Sequence, residues 1–284
     1  MTDRATVLVS IAELAESLLD PHPAVLLDVR WALGDPDGLA HYRNGHLPGA
    51  FFVDLDRELA AAASVAGGRH PLPDLAALQA TARSWGLRAQ DRVVVYDNSG
   101  GLAAARAWWL LRWAGVGDVR LLDGGLRAWI DAGHGLFYEE PVPVQPGDVL
   151  LSPGHLPILT ADEAAARARS GLLLDARAAE RYRGEVEPVD ARAGHIPGAV
   201  SAPTTMNIGA DDRFLPSDQL REQFRAIGVT DGTSVGVYCG SGVTAAHQIV
   251  ALAVVGVPAA LYPGSWSAWS GNPHRPIATG ADPG

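Results

Sequence analysis

Cys239 is the only cysteine among 284 residues, and it heads the run Cys-Gly-Ser-Gly-Val-Thr over residues 239–244. Ahead of it, Val235-Gly236-Val237-Tyr238 reads as a short buried strand; behind it, Val243 to Val255 reads as a helix rich in Ala, Val, Ile and Leu. A thiol at such a strand-to-helix turn faces the unpaired amides that open the helix, where the dipole favours negative charge. That setting raises the thiolate fraction of a cysteine. Gly240 and Gly242 let the backbone curl so that successive N–H groups can converge on one centre. The chemistry offered is that of a sulfur nucleophile held in an amide cradle, built from Cys239, Gly240, Ser241, Gly242, Val243 and Thr244. Position alone does not decide the matter, because a lone intracellular cysteine is more often a small buried hydrophobe.

An internal duplication adds weight. Leu26-Leu27-Asp28-Val29-Arg30 returns as Leu173-Leu174-Asp175-Ala176-Arg177, and Gly45-His46-Leu47-Pro48-Gly49-Ala50 as Gly194-His195-Ile196-Pro197-Gly198-Ala199. Val93-Val94-Val95-Tyr96 returns as Val235-Gly236-Val237-Tyr238. Asp123-Gly124-Gly125-Leu126-Arg127-Ala128-Trp129 returns loosely as Pro263-Gly264-Ser265-Trp266-Ser267-Ala268-Trp269. Four blocks in the same order mean two copies of one domain, each long enough for its own core. Features in both copies serve the fold, and features in one copy are candidates for chemistry. Opposite Cys239 stands Asp97, a carboxylate that suits the same helix terminus but is no comparable nucleophile toward sulfur. The second half is the reacting half and the first a retained scaffold.

The surrounding elements place the thiol. Ser10-Ile11-Ala12-Glu13 and Thr160-Ala161-Asp162-Glu163 are capping boxes that open helices, each leading to an apolar strand at Val25–Val29 or Leu172–Ala176. Pro73-Asp74 and Pro216-Ser217 start amphipathic helices that end near Gly86 and Gly228. Strands Val93–Asp97 and Val235–Cys239 are short and apolar, as buried parallel strands are. Alternating strands and helices predict an α/β fold, each half a mainly parallel sheet flanked by helices on both faces. Ligands in such sheets bind at the carboxyl ends of strands, which is where Cys239 falls. The Pro/Gly-rich stretch at 141–156 divides residues 1–140 from residues 157–284.

Composition removes other classes. A net charge of −10 argues against nucleic acid and anionic membranes as partners. All 22 basic residues are arginine, so lysine Schiff-base chemistry and P-loop phosphate binding are excluded. A single cysteine forms no internal disulfide, and an exposed thiol predicts a reducing, cytoplasmic setting. The first residues lack a signal-peptide pattern, and the apolar stretch Ile249–Leu261 is too short to span a bilayer.

The duplication, the Gly-His-Ile/Leu-Pro-Gly-Ala element in each half and the cysteine-headed loop together resemble the two-domain rhodanese-type sulfurtransferases over nearly the whole chain. Cys-Gly-Ser-Gly-Val-Thr is the loop typical of the 3-mercaptopyruvate sulfurtransferases; thiosulfate-preferring rhodaneses usually carry Arg and Lys where Gly240 and Ser241 stand. The resemblance implies two tandem rhodanese-like domains, the first non-catalytic, with no metal or organic cofactor. It implies that Cys239 takes sulfur from a small donor as a persulfide and passes it to cyanide or to a thiol such as thioredoxin or glutathione. It implies a proton relay from Ser241 through a histidine and an aspartate of the first domain, matched here to His46 and Asp35. His195 fills the motif of His46 in the other half, which also suits a fold element. A donor-binding arginine is implied at Arg183, in Arg181-Tyr182-Arg183-Gly184. The second arginine expected after Glu-Pro is replaced by Val189-Asp190, leaving Arg192 as the substitute. Pro263 stands where the family more often has Asp.

Trp108, Trp109 and Trp113 follow helical spacing and are expected in core or interdomain packing. A cysteine phosphatase would need arginine six residues after the nucleophile, where this chain has Ala245. Two alternatives remain open: a thiosulfate-preferring rhodanese, and a persulfide carrier serving a partner protein in thiocofactor or tRNA modification.

Overall fold

The computed structural model describes residues 4–142 and 145–284. Met1–Asp3 and, within the connecting stretch, Pro143 and Val144 lie outside the described residues. In the first half, strands β1 (Leu8–Val9), β2 (Val25–Asp28), β3 (Phe51–Phe52), β4 (Arg92–Tyr96) and β5 (Asp118–Leu122) form a sheet in the order β1-β5-β4-β2-β3. Its helices are α1 (Ile11–Ser17), α2 (Gly38–Arg43), α3 (Leu55–Glu58), α4 (Leu75–Ser84), α5 (Ala104–Trp113) and α6 (Gly125–Asp131). In the second half, β6 (Leu172–Asp175), β7 (Val200–Ser201), β8 (Val235–Tyr238) and β9 (Ala259–Leu261) form a sheet in the order β7-β6-β8-β9. The helices there are α7 (Ala161–Ser170), α8 (Ala179–Arg183), α9 (Ser217–Ala226), α10 (Thr244–Val254) and α11 (Ser265–Gly271). The strand pairs run parallel, with Leu27 opposite Val95 in one sheet and Leu174 opposite Val237 in the other.

The strand period of two sorts side chains between two faces. Leu27, Val93 and Val95 point into a large core that also takes Leu172, Leu174, Val235 and Val237 from the other half. Their neighbours Leu26, Val94 and Tyr96 enter a smaller core on the far side of the first sheet, as Leu173 and Tyr238 do behind the second. The halves therefore share one central core, across which α5 packs against α10. Trp108, Trp109 and Trp113 on α5 lie in that shared core. Burial of such side chains stabilises by roughly 1.5–3 kcal/mol each, which makes the halves one cooperative body rather than beads on a tether.

Both capping boxes form: Ser10 and Thr160 each accept from the backbone of the glutamate three residues on. The connecting residues pack on the first half, with Val149 N–H donating to the Leu87 carbonyl and His155 N–H to that of Trp113. The shared motifs do shared work. Arg30 and Arg177 grip Asp28 and Asp175 through paired hydrogen bonds, and Tyr42 and Tyr182 donate to the carbonyls of Ala50 and Ala199. No described helix is long and apolar enough to cross a membrane.

Candidate active site

Cys239 follows β8 directly, and α10 begins five residues later at Thr244. The Gly242 N–H donates to Sγ at 3.1 Å. Gly242 has φ of +84°, and a Cβ there would meet the Pro263 carbonyl oxygen at 2.6 Å, so no other residue lets the loop close on the sulfur. The Cys239 N–H donates to Ser265 Oγ, which in turn donates to the Tyr262 carbonyl. Ser265 holds φ of +52°, a left-handed backbone unusual outside glycine, and its first-half counterpart is Gly125. The strain is accepted where the serine hydroxyl braces the nucleophile's own amide.

The expectation of an exposed thiol is corrected: Cys239 is 1% exposed. The reason is a segment of the first half that folds over the loop. Gly68 approaches so closely that a Cβ would meet Ser267 Oγ at 2.4 Å, and the Arg69 N–H donates to the same hydroxyl at 3.1 Å. Next in sequence, His70 places Nδ1 2.7 Å from Ser241 Oγ and Nε2 2.9 Å from Asp56 Oδ1. With the carboxylate holding the proton on Nε2, Nδ1 accepts from the Ser241 hydroxyl. Burial pushes the His70 pKa down, opposed by Asp56, so the imidazole is neutral and able to accept a proton.

His46 and Asp35 do not occupy these places. The His46 ring stacks on Tyr42, with Nδ1 at the Tyr42 carbonyl and Nε2 at that of Glu139; His195 repeats the arrangement on Tyr182 and Pro283. Both histidines pin backbone at the turn before proline. Asp35 pairs with His41 on an exposed loop. The duplication held the signal: a histidine present in both halves serves the fold, while His70 has no histidine near its second-half counterpart, close to Arg213.

The arginines sort in the same way. Arg183 turns outward to Glu185 through two bonds of 2.7 Å. Arg192 spends its guanidinium on the carbonyls of Trp269, Ser270, Asn272 and Arg275, tying down the end of α11. Neither is near the loop as a free cation. Arg181 is instead the one at the loop, beside Arg69: a Cβ on Gly240 would lie 3.5 Å from Arg181 Nη1 and 2.9 Å from Arg69 Nη2. Arg183 repeats as Arg43 in the first half, whereas Arg181 has His41 opposite, so the comparison of halves singles out Arg181.

Beneath the loop lies Arg106 of α5, fully buried. Its guanidinium donates to the carbonyls of Leu59, His70, Pro71 and Gly242, and among the described residues it has no carboxylate partner. Burial pushes its pKa down to about 10, and a negative charge on Cys239 acts to raise it. An unpaired buried cation is costly and favours negative charge in the space it faces. A cavity of about 810 Å³ lies away from all this at the amino ends of β8 and β9, lined in part by Arg167, Arg221 and Arg225.

The rhodanese-like domain family matches residues 10–132 and again residues 160–272, and the chain belongs to that family. It is 49% identical over 99% of its length to "Putative thiosulfate sulfurtransferase SseB" of Mycobacterium tuberculosis (strain H37Rv), of which it covers 99%. It is 48% identical over 96% of its length to "Probable 3-mercaptopyruvate sulfurtransferase" of Pseudomonas aeruginosa, covering 98% of that protein. The crystal structure of SseA from Escherichia coli, named for 3-mercaptopyruvate sulfotransferases, superposes with a TM-score of 0.81 at 33% identity, across 92% of this chain and 98% of that one.

Proposed function

We propose that this protein is a sulfurtransferase that moves sulfane sulfur from 3-mercaptopyruvate or thiosulfate to a thiol or cyanide through a persulfide on Cys239. The observation that carries the reading is a lone thiol in a glycine loop, amide-bonded at Sγ and set above a buried cation that lacks a carboxylate. The Cys239 thiolate attacks the donor sulfur; the bond from that sulfur to carbon, or to the sulfite sulfur, breaks and its electron pair leaves with pyruvate enolate or sulfite. The outer sulfur stays on Cys239 until an acceptor thiolate or cyanide attacks it and restores the thiolate.

Donor choice follows from proton demand. Pyruvate enolate must take up a proton, whereas sulfite departs as a stable anion. Ser241 and His70, with Asp56 holding the imidazole, form a chain suited to take the proton of the donor's own thiol and hand it to the enolate carbon, which supports mercaptopyruvate as the preferred donor. Glutathione and thioredoxin are fitting acceptors because each presents an accessible thiol. A persulfide carrier would share the first half-reaction and differ only in needing a protein acceptor.

Incubation with either donor should add one sulfur atom to the protein, seen by intact mass and removed by cyanide, and Cys239→Ser should abolish both this gain and turnover. Full activity in that variant would overturn the nucleophile. We expect kcat/KM to be higher for mercaptopyruvate than for thiosulfate; equal or reversed values would reject the preference.

A further inference from the structure

We propose that Arg69, supplied by the non-catalytic half, completes with Arg181 the site that holds the donor's anionic group, and that Asp190 is an internal carboxylate which the donor displaces from Arg69. The proposal rests on Cys239 being the sulfur-accepting nucleophile.

Four observations lead to it. The Arg69 and Arg181 guanidinium groups both face the space beside Gly240, the residue after the nucleophile, where a side chain would collide with Arg69. Asp190 already bridges them, with Oδ1 paired to Arg69 and Oδ2 to Arg181 at 3.2 Å, so the gap between the two cations has the dimensions of a carboxylate. The Nε atoms of Arg69 and Arg181 are both buried without a hydrogen-bond partner, so each fork has an unused donor. Arg177, Arg183 and Arg192, the other cations of this segment, are committed to Asp175 and Glu187, to Glu185, and to four carbonyls.

Position explains why Arg69 can serve. Its backbone is pinned by Ser267 Oγ and by the close approach of Gly68, while its side chain keeps partial access to solvent. The second half has an acid at Asp190 where a second arginine was expected, and the first half returns a cation to the same spot across the domain interface. A carboxylate held in this fork sits one residue from Cys239, with its attached sulfur free to approach the thiolate. Because Asp190 and Glu187 offset much of the positive charge, the site suits a monoanionic headgroup better than a dianion.

Charge-selective alkylation of the full-length protein tests this without relying on turnover. Iodoacetate and iodoacetamide differ in the carboxylate, and both label a thiolate by displacing iodide. In Arg69→Gln the ratio of Cys239 labelling rates, iodoacetate over iodoacetamide, should fall about tenfold, with KM for mercaptopyruvate rising more than kcat falls. In Asp190→Asn, which frees the fork, the ratio should rise severalfold. A ratio unchanged in both variants, while Cys239 still labels and forms the persulfide, overturns the proposal and leaves Arg69 a brace for the loop. If Arg69→Gln fails to fold, Asp190→Asn decides alone: a raised ratio supports the site and an unchanged one rejects it. Absence of a persulfide on Cys239 in the folded parent protein would overturn the nucleophile on which this site rests, whereas persulfide formation with an unchanged labelling ratio rejects the site alone.

Discussion

Asp97 and Cys239 hold equivalent points in the two halves, each at the end of a central strand and before a helix that faces the shared core. Their cradles are filled differently. The Asp97 carboxylate accepts four amides, from Ser99, Gly101, Ala103 and Ala104. Cys239 Sγ accepts one, from Gly242. A carboxylate reaches further from Cα than a thiol and offers two acceptors, so it saturates its nest. The thiol leaves its own nest partly unused, and a second sulfur, about 2 Å further out, would be the atom that fills it. One half keeps a permanent internal acceptor; the other is shaped for an acceptor that comes and goes.

The covers differ to match. Over the Asp97 loop, Ile208 presses so near Gly100 that a Cβ would meet it at 2.8 Å, an apolar plug. Over the Cys239 loop stand Arg69 and His70, which are polar and titratable. The scaffold half thus contributes polar groups beside the thiol of the reacting half, and the reverse contribution to the Asp97 loop is the Ile208 plug and a bond from His247 to the Gly100 carbonyl.

The sharpest way to break this asymmetry is to remove the proton chain. His70→Asn or Ser241→Ala should lower kcat with mercaptopyruvate about 100-fold and with thiosulfate by roughly tenfold or less, because only the first leaving group needs a proton. Equal losses with the two donors would mean that the chain braces the loop rather than serving the leaving group.

A smaller effect, and one of stability rather than turnover, is expected on the other side. Asp97→Ala strands four buried donors and should destabilise the protein by about 3 kcal/mol in denaturant melts. Any persulfide formed at Cys239 below the transition should be unaffected. A change below 0.5 kcal/mol would show the nest to be filled by water in its place.

The least effect concerns pH. His247 on α10 bonds through Nε2 to the Gly100 carbonyl and stacks on Phe214, and burial pushes its pKa down to about 4. The unfolded chain therefore takes up that proton first. The contribution is complete above about pH 6.5 and is lost as pH falls toward 4, by at most about 3 kcal/mol. His247→Gln should flatten the fall of Tm across that window; an unchanged slope would assign acid sensitivity elsewhere, with His70 the next group to examine.

Much of the molecule was legible before folding was considered. Capping boxes, strand runs and the duplicated motifs are local patterns, and each was written where its element formed. The cysteine-headed turn between strand and helix was legible for the same reason, since thiol, glycines and helix start are contiguous. The histidine and the arginines were misplaced by matching motifs alone. His46 and Arg183 sit inside conspicuous motifs and serve the fold, while His70 and Arg69 sit in Gly67-Gly68-Arg69-His70-Pro71, a stretch with no motif of its own.

The chain by itself determined which segments become helix or strand, that the unit occurs twice, and which half carries the thiol, because all three depend on near neighbours in sequence. Only the tertiary structure decided what stands around that thiol. His70 reaches Ser241 across 171 residues, Arg69 reaches Asp190 across 121 and Arg106 reaches Gly242 across 136. Those distances are closed by burial of a common apolar core between the halves, a force without direction that no pairwise motif encodes.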